Sequence, residues 1–325
     1  MAVLGVGRIL IGTRGPAVNP EHPPASTEPR AATATAPTLQ GSVVFDLSQP
    51  ARALLADVKL HEPRHPLQGL AFDVVNERLF IAQQRDGRPG ADLCINRLSL
   101  TGDLISHVHV DNAGHGQSFG VEPVGSTSYL WLEWNANENT TDGRGTELAR
   151  FPFGPGRPRE MGTFFDAGVE VGCSIDPVNR RILIRRPEEG ATFYTLYDLN
   201  EADDGFRTPL ARIHEPDLSP RPGRSTLQAF TVLGSHLYTL VGTGGHAGTS
   251  NDPFDTYLSA IHLENGEVTQ QEVVTAGRSL IYREPEGLAI NVVDGAPQLC
   301  FGLASRPHRD SPLRRADLFC LDRLL

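Results

Sequence analysis

The apolar positions of this chain fall into short strand-like runs, and the run at 117–123, QSFGVEP, sets the pattern for the rest. That run recurs in varied form at 68–74 (QGLAFDV), 171–177 (VGCSIDP), 228–233 (QAFTVL) and 286–291 (EGLAIN). The copies start at 68, 117, 171, 228 and 286, so the intervals are 49, 54, 57 and 58 residues. Periods of that size mark stacked supersecondary units, and each unit here begins with a strand. The spacing predicts a five-bladed β-propeller.

Each copy is followed by a turn and a second apolar run: 77–83, 128–134, 180–186, 236–242 and 297–304. The turns carry the expected residues, among them Asn76, Gly125-Ser126, Gly234-Ser235 and Asp294-Gly295. Third strands are read at 92–100, 146–153, 192–199, 257–264 and 317–324, and fourth strands at 105–111, 159–166, 210–216 and 267–275. The fifth unit has no fourth strand before Leu325. An N-terminal segment, 43–48 or 55–60, is expected to supply it and close the ring, which removes two exposed sheet edges. The fold class is therefore all-β, five four-stranded antiparallel blades closed by an N-terminal strand.

Domain organisation follows from where the repeats stop. Residues 43–325 read as the propeller, and 1–42 as an N-terminal docking segment plus a linker rich in Pro, Ala and Thr. Residues 1–18 are apolar and β-rich, lack a basic n-region and cleavage signature, and are too short for a membrane span. A strand that docks onto another protein of a particle is the preferred reading, with a poor signal peptide or a disordered segment as the alternatives. The formal charge of −10 argues against a nucleic-acid partner, because phosphate binding needs clustered Lys and Arg.

The four cysteines show no zinc spacing, and each falls within an expected strand. A small buried apolar side chain is the plain reading, with a Cys94–Cys320 disulfide as the sharper alternative.

Several stretches resemble a known family: FDLSQP (45–50), QGLAFDVVNERLFIAQ (68–83), DLCINRLSLTGD (92–103), GHGQSFGVEPVGSTSYLWLE (114–133), GTELARFPF (145–153), SIDPVNRRILIR (174–185), 227–242 and YREPEGLAI (282–290). The family is that of β-propellers named for teichoic acid biosynthesis protein C and for the receptor-binding protein of a staphylococcal phage, to which helveticin-like bacteriocins are related. The match looks especially close to actinobacterial members. It implies recognition of a cell-surface glycopolymer or oligosaccharide, on a phage tail or phage-like particle acting outside the cell, or on a secreted protein. Actinobacterial relatives commonly begin with an export signal. The start of this chain departs from that and favours a particle.

Propellers bind ligands where the inner strands enter the central channel. Those positions hold Gln68, Gln117, Gln228 and Glu286, with His115 beside Gln117, whereas Val171 breaks the pattern. Neutral amides suit sugar hydroxyls, and Trp131 and Tyr238, like Tyr129 and Trp134, are expected to offer stacking surfaces. The competing reading of the glutamines is bonding between neighbouring blades. Glu133, Arg185, Arg283 and His246 complete the candidate ligand-binding set; His246 lies in the long Gly-rich loop 242–255. Glu122, Asp176, Asp73 and Asn291 share one repeat position and are expected to cap turns. The sequence implies no cofactor, although a channel lined by Gln, Glu and His is open to Ca²⁺. A glycosidase or lyase with paired channel carboxylates, and a purely structural role, are the alternatives. No phosphate loop is present, and the carboxylates match repeat positions or charge-pair contexts, so the balance of signals is against an enzyme.

Overall fold

The computed structural model describes residues 39, 42–85, 92–136, 143–158, 161–218, 226–243 and 255–325. The docking segment 1–18, nearly all of the linker, and His246 lie outside these residues. Twenty strands form five four-stranded antiparallel sheets. The first strand, Arg52–Val58 (β1), belongs to the last blade. Blade 1 is Leu67–Asp73 (β2), Arg78–Gln84 (β3), Leu93–Leu98 (β4) and Leu104–Val110 (β5). Blade 2 is Gly120–Val124 (β6), Thr127–Ala136 (β7), Gly145–Pro152 (β8) and Gly162–Asp166 (β9). Blade 3 is Gly172–Asp176 (β10), Arg181–Glu188 (β11), Ala191–Asp198 (β12) and Ala211–His214 (β13). Blade 4 is Thr226–Leu233 (β14), His236–Gly242 (β15), Tyr257–His262 (β16) and Val268–Val273 (β17). Ile281–Val293 (β18), Ala296–Arg306 (β19) and Arg315–Leu321 (β20) then pair in order, and β1 adds to the edge of β20.

Both N-terminal stretches named by the sequence take part in closure. β1 overlaps 55–60 and pairs Arg52 with Cys320 and Val58 with Ala316. The stretch 43–48 meets the chain end: Phe45 bridges Leu324, and Leu325 N donates to Val44 O at 2.8 Å. The fifth blade therefore holds both ends of the propeller.

Second strands are sandwiched between sheets, so they read as nearly continuous apolar runs rather than as alternation. β3 is buried along its middle five residues and β15 along its whole length. The outer strand β17, VTQQEV, has no buried residue. The core is divided among the seams between blades. Phe80 and Ile95 meet Leu130 and Phe151 at seam 1–2, Trp131 meets Cys173 at 2–3, and Tyr194 meets Phe230 and Leu237 at 3–4. Tyr238 and Leu240 meet Phe301 at 4–5, and Leu70 and Leu79 meet Cys300 and Leu318 at 5–1. A fully buried side chain of this size contributes roughly 1.5–3 kcal/mol, so the ring is held at every seam rather than by one central core.

Capping of the inner turns also links blades. Asp73 accepts from the backbone N–H groups of Val75 and Asn76 and from the Ser128 hydroxyl of the next blade. Asp176 repeats this with Val178, Asn179 and the Gly234 N–H. Glu122 instead accepts from Trp131 Nε1 and Arg150 Nε.

The cysteine expectation needs correcting. Cys300 and Cys320 are opposite each other on β19 and β20 with Cα atoms 4.0 Å apart, and they form a disulfide. Cys94, in another blade, is buried and free, as is Cys173. Neighbouring strands of one sheet bring Cβ atoms within bonding reach, which separate blades do not do for Cys94 and Cys320.

Candidate ligand-binding site

The inner strands start at one end of the channel, and the loops between second and third strands emerge at that same end. Together they enclose a cavity of about 290 Å³ lined by Gln68, Gln84, His115, Gln117, Arg144, Gln228, Tyr282, Glu284 and Glu286, with Pro66 and Thr226. Five sequence candidates meet here: Gln68, His115, Gln117, Gln228 and Glu286. Each glutamine also donates from its amide nitrogen to a protein acceptor. Gln68 reaches Leu67 O at 3.1 Å and Glu286 Oε1 at 3.2 Å, Gln228 reaches Gly242 O at 3.2 Å, and Gln117 crosses to Leu227 O. Gln68 and Gln117 thus join blades while lining the channel, Gln228 bonds within its own blade, and the bonds fix the rotamers in which the amide oxygens are presented.

The reach of Gln117 from blade 2 to blade 4 follows from the break in the repeat at Val171. Val171-Gly172 opens blade 3, where the repeat position carries no glutamine. One residue further in, Phe230 N donates to the Ser118 hydroxyl at 3.1 Å, and the two blades touch across the channel.

Glu286 is 3% exposed and its Oε2 has no hydrogen-bond partner. Burial, reinforced by the neighbouring Glu284 carboxylate, pushes its pKa well above the usual carboxylate range, against the opposing pull of Arg144 and the Gln68 hydrogen bond. Its position comes from an irregular strand. Tyr282 and Arg283 have φ of 82° and 42°, and the register of β18 on β19 shifts at 281–284 and again at 286–288. Gly287, at φ 78°, completes the bulge; a Cβ there would lie 2.8 Å from Leu70 N, so glycine is required on both counts.

Glu133 does not line this cavity. It is 1% exposed, and its two oxygens accept from Gly116 N at 2.7 Å and Gly145 N at 2.8 Å. Burial pushes its pKa up, against the opposing pull of Arg144 and these amides. Its work is to hold the loop 112–116 that presents His115, whose Nδ1 is 3.4 Å from Gln84 Nε2.

Four further candidates are structural. Trp131, expected as a stacking surface, is fully buried: Nε1 donates to Glu122 Oε2 at 3.0 Å and the ring packs 4.6 Å from Phe164. Tyr238 is fully buried beneath Phe45 and accepts from its N–H. Second-strand side chains point into the seams, so neither aromatic ring reaches the channel. Arg185 is saturated by a two-pronged bond to Glu215 and a 3.6 Å contact with Glu170. Arg283, 5% exposed, donates to the Val274 and Ala276 carbonyls and to Thr256 Oγ1, pinning the segment that enters blade 5. Of the other two expected aromatics, Trp134 bonds Asp111 O and Tyr129 lies 4.3 Å beneath the Arg150 guanidinium.

Gln84, Arg144, Tyr282 and Thr226 line the cavity without having marked themselves in the sequence, whereas Glu284 belongs to the YREPEGLAI cluster with Arg283 and Glu286. The topology contained the signal, since residues ending a second strand or opening a third lie at the same end of the blade as the start of the first. The first two sit at those places. Arg144 is the one permanently charged cation lining the cavity among the described residues.

Comparison with known proteins yields three findings. Residues 67–309 match the family described as the phage 5-bladed beta propeller receptor binding platform domain. A protein of Bacillus subtilis (strain 168) named as a major teichoic acid biosynthesis protein C is 26% identical over 285 residues, covering 81% of this chain and 61% of that protein. The tail fiber of Staphylococcus aureus phage P68 superposes with a TM-score of 0.65 at 14% identity, covering 84% of this chain and 52% of that one. The chain thus spans about three fifths and one half of the lengths of these two proteins. Among the described residues, no helix is long and apolar enough to cross a membrane.

Proposed function

The chain belongs to the phage five-bladed β-propeller receptor-binding platform family, and we propose that the cavity at its channel mouth binds a hydroxyl-rich, phosphate-bearing cell-surface glycopolymer of the teichoic acid kind. The observation that carries this reading is the channel lining itself. Four amides, those of Gln68, Gln84, Gln117 and Gln228, and the buried Glu286 carboxyl with an unpartnered oxygen surround a space of about 290 Å³. Such groups pair with polyol and sugar hydroxyls as donors and acceptors without demanding charge. Arg144 adds the one cation, suited to a phosphodiester in the same chain. The name of the B. subtilis relative is consistent with that polymer class.

In this reading the propeller acts outside the cell as part of a phage or phage-like particle, with residues 1–18 as its link to other particle proteins. Retention of the full chain on purified cell walls, before and after acid extraction of their glycopolymers, tests it. Binding lost on extraction supports the reading. Equal retention on extracted walls points to another receptor, and release of soluble products from the walls points to a glycosidase or lyase.

A further inference from the structure

Blade 1 carries an unusual face away from the channel. In an antiparallel sheet, residues opposite each other share a face, and β5 pairs His109 with Cys94 and His107 with Asn96 of β4. Cys94 is in turn opposite Gln83 on β3. Where other seams are filled by apolar side chains, this face presents Gln83, Cys94, Asn96, His107 and His109. The crossover from β1 to β2 runs over it and contributes His61 and Glu62.

That crossover is held in place by the two buried amides. Asn96 Oδ1 accepts from His61 N at 2.8 Å, Gln83 Oε1 accepts from Glu62 N at 3.1 Å, and Gln83 Nε2 donates to Glu62 O at 2.8 Å. Asn96 and Gln83 are joined to each other at 2.9 Å. On the other side, Gly156 of blade 2 holds the backbones of His107 and His109 by bonds of 3.0 and 2.7 Å. The backbone around the histidines is hydrogen-bonded on both sides, and their rings gather against one another. The His61 and His107 rings stack with centroids 3.4 Å apart, and His107 and His109 are 4.8 Å apart. His109 Nε2 is shut off from solvent and makes no hydrogen bond; the nearest Glu62 oxygen is 3.4 Å away.

The ligand atoms of His61, His107 and His109 all lie within 4.8 Å of one another, and Glu62, Cys94 and His109 form a second, overlapping group of that span. Two ligands on a tetrahedral zinc, each about 2.0–2.1 Å from the metal, stand roughly 3.3 Å apart. The Glu62–His109 separation already has that value, and the His61 and His107 ligand atoms lie within 4.8 Å of that of His109, so their stacked rings turn to reach the ion. We propose that His61, His107 and His109, with Glu62 as fourth ligand, bind a divalent cation of the zinc class. Imidazole-rich sets select such ions over Ca²⁺ and Mg²⁺, which take oxygen. Gln83 and Asn96 act as the outer partners that keep the ligand-bearing loop in place. The metal would clamp the crossover leaving the fifth blade onto the outer strand of the first, at the joint where the ring closes.

The test uses the full, untagged chain, stripped with a chelator and then given Zn²⁺ alone. One equivalent retained per chain after gel filtration, with a higher melting temperature, is expected. Co²⁺ should give the intense visible absorption of a tetrahedral site, undiminished by excess Ca²⁺. His109→Gln should weaken Zn²⁺ binding at least about tenfold, and His61→Gln, which alters a loop residue rather than a strand residue, should do the same. His308→Gln, outside the cluster, should retain the metal. Failure of the parent chain to retain Zn²⁺, or retention by His61→Gln equal to that of the parent, overturns the assignment.

Discussion

Gln68 Nε2 donates to Glu286 Oε1 at 3.2 Å, joining the inner strand of the first blade to that of the last. One bond therefore belongs both to ring closure and to the channel mouth. It occupies one oxygen of Glu286 and leaves the other facing no protein partner. Burial raises the pKa of this carboxyl, and Glu286→Gln, which keeps a side chain of the same length with a donor and an acceptor, is expected to bind glycopolymer within a few-fold of the parent. Glu286→Ala removes both and should weaken binding by about tenfold or more. Titration of each variant with isolated polymer decides the matter, and an unaltered Glu286→Ala affinity would remove Glu286 from the site.

Asp176 accepts from two backbone N–H groups of its own turn, from Asn179 Nδ2 at 2.7 Å and from Gly234 N of the next blade at 2.7 Å. Asp176→Ala leaves buried donors without an acceptor and is expected to cost about 2–4 kcal/mol. Denaturant unfolding monitored by circular dichroism gives the value. Val178→Ala at the exposed turn serves as the control.

The Cys300–Cys320 disulfide closes a loop with a sequence separation of 20. On the chain-entropy account, a Cys300→Ala/Cys320→Ala double variant should lose about 3 kcal/mol. Denaturation of the parent in reductant should move in the same direction, whereas the double variant should be insensitive to it.

His236 is buried on β15, with Ser235 Oγ 3.1 Å from its Nδ1 and the His262 ring edge-on at 5.1 Å. Burial, then the neighbouring His262, lowers its pKa to about 4. The unfolded chain, with a histidine pKa of about 6.5, binds the extra proton first as pH falls. This contribution to stability is therefore complete above about pH 6.5 and is lost as pH drops toward 4, by up to about 3 kcal/mol. His236→Gln should flatten the stability profile across that window relative to the parent.

Gly287 combines φ 78° with a Cβ position 2.8 Å from Leu70 N, whereas Gly295 has the same φ and open space around it. Gly295→Ala is expected to cost about 1 kcal/mol from backbone strain alone. Gly287→Ala should cost clearly more, because backbone of blade 1 must also move. Comparing the two midpoints separates conformational strain from steric conflict.

The fold was legible because the inner strand repeats its own turn chemistry. Asp73 and Asp176 cap equivalent turns, and the run that follows each is apolar on both faces because blades cover both. Channel residues were legible for the same reason, since Gln68, Gln117, Gln228 and Glu286 occupy equivalent positions. What the sequence did not disclose was which way second-strand side chains point. Trp131 looks like a ligand platform by composition, yet a strand between two sheets has no free face. The Cys94–Cys320 alternative failed on a similar point: neighbouring blades pack about 10 Å apart, beyond disulfide reach, whereas adjacent strands in one blade are within it. His107 and His109 alternate visibly in HVHV, but their partner His61 comes from a crossover whose path only the closed ring defines.

The most direct measurement is the affinity of the full chain for purified teichoic acid, set against a Gln117→Ala/Gln228→Ala variant whose fold is checked by circular dichroism. Saturable binding by the parent that falls by at least about tenfold in the variant is the expected result. Binding of equal strength by both proteins, or none by the parent, would contradict recognition at the channel mouth.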